Sequence, residues 1–479
     1  MKRFLLSGQS FFPFILLVFT VAENLKGQGC GNLGIQLKAD IPSSCTTMVM
    51  TMIHDAKDRP YLYVANKEAG LVIYNITNLS GPVQVASVPV SSLSGLQVMN
   101  LSQDGDYLYL AIGNSFTNPQ QGGMAIVDVS NPASPSVTDT YLVPSSTSGA
   151  GIVKVEGNYA YLGAMGSGLV LLDITDKNDI TFVSQFKPDI NYPVKNPNPD
   201  LYNARGLEVR NSIVYLCFDA GGFRIINCSN KSQPIETGRY ANPALYKTIN
   251  LPRAYNNIVL DDTLVYIAVD YCGMEVLNIR DTSAIKLHGW WNPDNCPGNN
   301  WFTSPVHANE IHFDKQSSIL FISTGKSDMM AVDVSDPSDP DSCTMYGGNG
   351  NNIGTWGAGL YKDQIYLSYI CTLGIPFSSN WTGVKILTYN RKSAVEDQRK
   401  WPLTVFPNPA DDVVTLRLGK FTEHARIQIY DAGGKCLEIL EVKGADEYKI
   451  PVRDYPSGYY FVNVQTALFN AGANFSVAR

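Results

Sequence analysis

Short apolar runs, broken at regular intervals by Gly, Asn, Asp and Pro, fill the chain from about Met48 to Tyr389. The clearest phrase is GMAIVDVSNPASP, Gly123 to Pro135: a turning glycine, an apolar strand, an Asp, then a Ser-Asn-Pro exit. It recurs as GLVIYNITNLSGP at Gly70, GLVLLDITDKNDI at Gly168, GFRIINCSNKSQP at Gly222 and GMEVLNIRDTSAI at Gly273. Weaker copies are DMMAVDVSDPSDP at Asp328 and GVKILTYN at Gly383. The seven starts are 53, 45, 54, 51, 55 and 55 residues apart, a spacing that predicts a repeat architecture.

Ahead of each phrase lies another strand, such as YLYVA at Tyr61, YLYLA at Tyr107 or LVYIAV at Leu264. Ahead of that lies a third, such as GIVKVE at Gly151 or EIHFD at Glu310. After the phrase comes a more polar fourth, such as SVTDTYLVP. Each repeat therefore reads as four antiparallel strands, a to d. Strands a to c are nearly continuous apolar runs, as expected when both faces are buried. Strand d is polar, as an outer edge should be. Four-stranded units in radial array make a β-propeller, so the expected fold is all-β with seven blades. The seventh c strand, ending at Tyr389, is followed by RKSAVEDQRK, which cannot be a strand d. LGIQLKADIP, Leu33 to Pro42, resembles the missing strand, so the expectation is that the N-terminal segment latches the last blade.

Residues 390–400 are charged and non-periodic, which suits a linker. From Trp401 the pattern changes to longer alternating strands, FPNPADDVVTLRL, ARIQIYDAGGKCLEIL, SGYYFVNVQ and ANFSVAR. They predict a small Ig-like β-sandwich over 401–479.

The N-terminus has a basic start at Lys2 and Arg3 and an apolar core from Phe11 to Val21. That core is too short to span a bilayer and reads as a cleaved signal peptide, residues 1–29, with a cut after Ala22 or near Gly29. Cys30 invites lipidation, but Gly27 stands where a lipobox usually carries Leu. No later stretch is long enough to cross a membrane, so no transmembrane segment is expected in the mature chain. A net charge of −7 without a basic stripe argues against a nucleic-acid partner.

The repeat phrase resembles the LVIVD repeat of predicted bacterial surface propellers. The last 79 residues resemble the C-terminal sorting domain of the Bacteroidetes type IX secretion system. The FPNP start, IYDAGGK, SGYYFV and the terminal position carry that resemblance. It implies the type IX secretion machinery as a partner, and export through the periplasm to the cell surface or medium. The expected order is signal peptide 1–29, propeller 30–389, linker 390–400 and sorting domain 401–479.

Export permits disulfides among the nine cysteines. In a propeller the b–c and d–a loops share one face. Cys272 with Cys296, and Cys45 with Cys371, hold matching places on it and are the expected pairs. The same face carries the long d–a loops, 188–206, 241–257, 290–310 and 347–359, rich in aromatic residues and Asn. They are expected to bring Arg205, Tyr255, Asn257, His307, Glu310 and Trp356 to one mouth of the central channel. This suits a glycan, peptide or protein ligand. His307 and Glu310 beside Arg205 also allow a surface hydrolase or lyase. No zinc spacing, phosphate loop or nucleophile elbow is present, so no catalytic residue, metal or cofactor is assigned. His54 and His312, in or at the end of a strands, read as structural. The recurring Asp128, Asp173 and Asp333 read as caps of the turn after strand c rather than as metal ligands.

Overall fold

The structure, a computed structural model, describes residues 33–114, 119–144, 146–246, 254–350, 352–371, 378–391, 403–466 and 470–479. The expected export signal and Cys30, residues 392–400 of the expected linker, and 247–253 of one d–a loop lie outside them. The described chain is all-β apart from two short 3₁₀ turns, Val90–Ser92 and Pro199–Leu201.

Seven four-stranded antiparallel sheets follow one another. Their a strands begin at Thr51, Val98, Ile152, Gly206, Tyr255, Ile311 and Thr355. Each a strand packs on the next, and the last on the first, so the sheets close a ring around a central channel. The closing strand is Gln36–Ser43, which pairs with Thr382–Thr388 as strand d of the seventh sheet.

Closure divides the apolar core into wedges. Seven buried clusters each fill the gap between two neighbouring sheets, from the pair joining the first and second to the pair joining the seventh and first. Strands b and c therefore bury both faces, which is why alternation fades in them. The d strands are partly exposed edges, and each carries a bulge against strand c, as between Leu171 and Leu172 or Val276 and Leu277. A bulge twists an edge away from foreign pairing.

The repeat phrase is explained by two local demands. Gly70 and Gly273 stand at φ of 90° and 76°, and a Cβ on either would strike the carbonyl of the adjacent d strand. In the sixth sheet Asp328 takes this place at φ 63°. It is fully buried, its carboxylate accepts the hydroxyls of Thr355 and Tyr369, and Gly347 leaves it room. The second demand is the exit turn. The carboxylates of Asp128, Asp173 and Asp333 accept the backbone N–H two residues on, at 2.7, 2.8 and 2.7 Å. Asn131, Asp176 and Asp336 cap again three residues later.

The C-terminal unit differs from two separate packed sheets. It is one five-stranded sheet whose long strands, Val413–Asp431 and Cys436–Pro451, run through both layers. Val414, Leu416 and Ile450 from one half pack on Ile427, Val462 and Phe475 from the other. Its motifs have local roles. Asp431 caps the Gly433-Gly434 turn, accepting from Gly433 and Lys435 N–H, and Asn408 accepts the Ser476 N–H of the final strand. Among the described residues no helix is long and apolar enough to cross a membrane.

Candidate functional site at the channel mouth

The b–c turn of one sheet pins the start of strand a in the next. Isolated bridges join Lys67 to Val98, Met165 to Ala204, Asp219 to Tyr255, Asp270 to Ala308 and Gly325 to Thr355. Three a strands carry bulges next to these bridges, at Val98/Asn100, Tyr255/Asn257 and Thr355/Ala358. Each bulge re-aims side chains at the point where the strand enters the channel.

A cavity of about 190 Å³ lies at this mouth. All seven sheets reach it, through residues such as Met50, Asn100, Ile152, Arg205, Asn257, Glu310 and Trp356. Asn256 and Asn309 complete a row of amides on one wall, and Met99 and Met165 add polarizable apolar surface.

Of the six residues expected at the mouth, Arg205, Asn257, Glu310 and Trp356 line this cavity. Tyr255 and His307 do not. The bulge after Tyr255 turns its ring into the wall, where its hydroxyl donates to Glu275 at 2.9 Å. His307 is buried and its Nδ1 meets Asp270 at 2.7 Å, with Trp301 edge-on to the ring. The expected pairing of His307 with Glu310 is therefore not made through the cavity.

Glu310 is half-buried. Its Oε2 accepts the Thr51 hydroxyl and the Ala358 N–H, both at 2.9 Å. Its Oε1 has no hydrogen-bond partner among the described residues. Burial pushes the carboxyl up to about 7. Arg205 reaches across the channel, its guanidinium carbon 5.3 Å from the Trp356 ring centre. Asp219 stands behind it at 3.7 Å, and burial raises that carboxyl above its ordinary value despite the arginine. Asn256 donates to the Ala308 carbonyl at 2.7 Å, while its own Oδ1 is buried without a partner.

Further down, Lys154 and Glu208 pair at 2.5 Å. His312 lies beyond them at a second opening, with Arg210 and Lys315, and burial takes its imidazole down to about 4. His54 stacks on Tyr361 at 3.4 Å between ring centres, a packing role.

Two disulfides brace the mouth face. Cys45 joins Cys371 and Cys272 joins Cys296, with Cα separations of 5.4 and 5.1 Å. Cys343 is also disulfide-bonded, and Cys217, Cys228 and Cys436 are free thiols.

No curated protein matches the chain. At the level of fold it is similar to Sqt1 of Saccharomyces cerevisiae, with a TM-score of 0.50 and 10% identity over 92% of this chain and 99% of that one. A chain of the mitotic checkpoint complex gives 0.48 and 10% identity, over 80% and 97%. The LVIVD repeat matches residues 60–90, 97–143, 149–187, 203–242 and 320–346. The secretion system C-terminal sorting domain matches residues 404–471. The chain is thus an LVIVD-repeat β-propeller protein that ends in a secretion system C-terminal sorting domain and is exported by the type IX route to the cell surface or medium.

Proposed function

We propose that the exported propeller is a binding protein, and that it holds a small polar ligand, or the terminal group of a larger glycan or peptide, in the channel mouth. The observation that carries this reading is the convergence of Arg205, Asn257, Glu310 and Trp356 on one cavity where the a strands begin. Around it stand a cation, amides and a carboxyl with an open oxygen, on a scaffold fixed by bridges and disulfides. This is the usual make-up of a specific pocket.

A second reading rests on Glu310. A carboxyl near 7 in a cavity is suited to proton transfer, so a hydrolase or lyase remains the competing account. A thermal-shift screen of the purified protein against oligosaccharides and short peptides tests both. Binding predicts a ligand that raises the melting temperature of the native protein but not of an Arg205→Ala, Asn256→Ala variant. Turnover of that ligand would favour the enzyme. Equal shifts in both proteins would remove the mouth from the account.

A further inference from the structure

The aromatic ring at the mouth is already engaged, and this narrows the ligand. Trp356 lines the cavity with the Arg205 guanidinium 5.3 Å from its ring centre. A tryptophan so placed orients an arginine by cation–π attraction rather than offering a bare face to a neutral sugar. The arginine in turn is under-used. Among the described residues its guanidinium has one carboxylate in ion-pair range, Asp219, and that contact is long, at 3.7 Å. A guanidinium carries five N–H donors in a planar fork that matches a carboxylate.

We propose that the channel mouth takes up a carboxylate group that carries a neighbouring hydroxyl or amide N–H, with Arg205 gripping the carboxylate and the amide lining of Asn100, Asn256 and Asn257 taking the neighbouring donor. The inference rests on the mouth being a ligand site. Two sources share this chemistry: the acidic sugar of a glycan and the C-terminal residue of a peptide. Both place a donor within a few atoms of the carboxylate, and a cavity of about 190 Å³ suits such a terminal group rather than a chain.

Glu310 lines the same cavity and sets a condition. Ionised, it repels an incoming anion; protonated, its open oxygen can donate to it. The charged and titratable groups around it are few. Arg205 shares the cavity, and Asp219 lies behind Arg205. Lys154 acts on Glu310 from the third sheet, and His312 follows it on its own strand, its imidazole held at about 4 by burial and so neutral near pH 7. Thr51 and Ala358, from the two other elements that touch its carboxylate, bring no charge. Uptake of the carboxylate is therefore accompanied by uptake of a proton on Glu310. Affinity falls as pH rises through about 7.

The test is isothermal titration of the full purified protein with glucuronate and N-acetylglycine, beside their neutral counterparts glucose and N-acetylglycinamide, at about pH 6 and about pH 8. The expected result is that one acid binds and its neutral counterpart binds at least roughly tenfold more weakly. Whichever acid binds identifies the source. Arg205→Ala should lose this preference, with its melting temperature checked to confirm folding. Glu310→Gln should keep the binding and lose its pH dependence. Equal binding of acid and neutral partner would overturn the carboxylate assignment while leaving the mouth as a site. Failure of all four probes to bind would overturn both. Unchanged binding in Arg205→Ala would overturn the role of the arginine.

Discussion

The guanidinium of Arg205, from the fourth sheet, lies 5.3 Å from the ring centre of Trp356, from the seventh. Two blades that never touch along their edges thus meet across the channel. Removing the ring leaves the charge but frees it to wander. Trp356→Leu is expected to weaken a mouth ligand several-fold, in line with about 0.5–2 kcal/mol for such a contact. Titration calorimetry checks this, and circular dichroism should show an unchanged fold.

Ring closure depends on few residues. The Cys45–Cys371 bond spans a sequence separation of 326 and fastens the N-terminal strand to the seventh sheet. A cross-link of that span restricts the unfolded chain strongly, with a typical effect of about 2–4 kcal/mol. The double variant Cys45→Ser, Cys371→Ser should melt lower by several degrees, whereas Cys436→Ser, an exposed free thiol, should not.

The other end of the ring is tied at Asp314. Its buried carboxylate accepts from Arg391, Tyr389 and Ser317. Asp314→Ala takes the acceptor from Arg391 and leaves the Tyr389 hydroxyl, in the wedge between the sixth and seventh sheets, with only the Lys362 carbonyl at 3.3 Å. A loss of about 3 kcal/mol is expected, measured by urea unfolding.

Two carboxyls predict opposite pH effects. Asp55 is buried, which alone would raise it, but hydrogen bonds from Arg59, Tyr63 and the Lys57 N–H hold it down at about 2. Its folded value lies below its unfolded one, so its contribution is present above about pH 4 and lost as pH falls through about 2. Glu275 is pushed up to about 7 by burial, against the hydrogen bonds from Asn242 and Tyr255. Its folded value lies above its unfolded one, so its contribution is present below about 4.5 and lost as pH rises through about 7. Unfolding midpoints should show Asp55→Asn altering the acid limb and Glu275→Gln flattening the slope between about pH 5 and 7.

The architecture was legible because each blade repeats its demands. Gly70 and Gly273 mark left-handed turns, Asp128 and Asp173 mark exits, and the buried b and c strands read as apolar runs. The latch was legible because the last repeat lacked a strand d and Leu33–Pro42 matched one. The site was only half legible. Loop alignment placed Arg205, Asn257, Glu310 and Trp356 at the mouth, but assumed that strand phase continued through the loop ends. The bulges at Tyr255/Asn257 and Val98/Asn100 break that phase. They send Tyr255 into the wall and bring Asn256 and Asn100 to the cavity. A bulge is set by what the next blade's turn requires, as in the bridge from Asp219 to Tyr255, and no alternation pattern records it. His307 was misplaced for a related reason, since its partner Asp270 comes from a turn 37 residues earlier.

The central claim is that Arg205, held beside Trp356, grips a carboxylate ligand in the channel mouth. The chain has six tryptophans, so incorporation of 5-fluorotryptophan gives a spectrum in which Trp356→Phe identifies one resonance. Fluorine NMR during titration with glucuronate and N-acetylglycine is the most direct measurement. The account predicts that one of them shifts the Trp356 resonance first and most, and that Arg205→Ala abolishes the shift. A binding ligand that leaves Trp356 unmoved and shifts another tryptophan would contradict it.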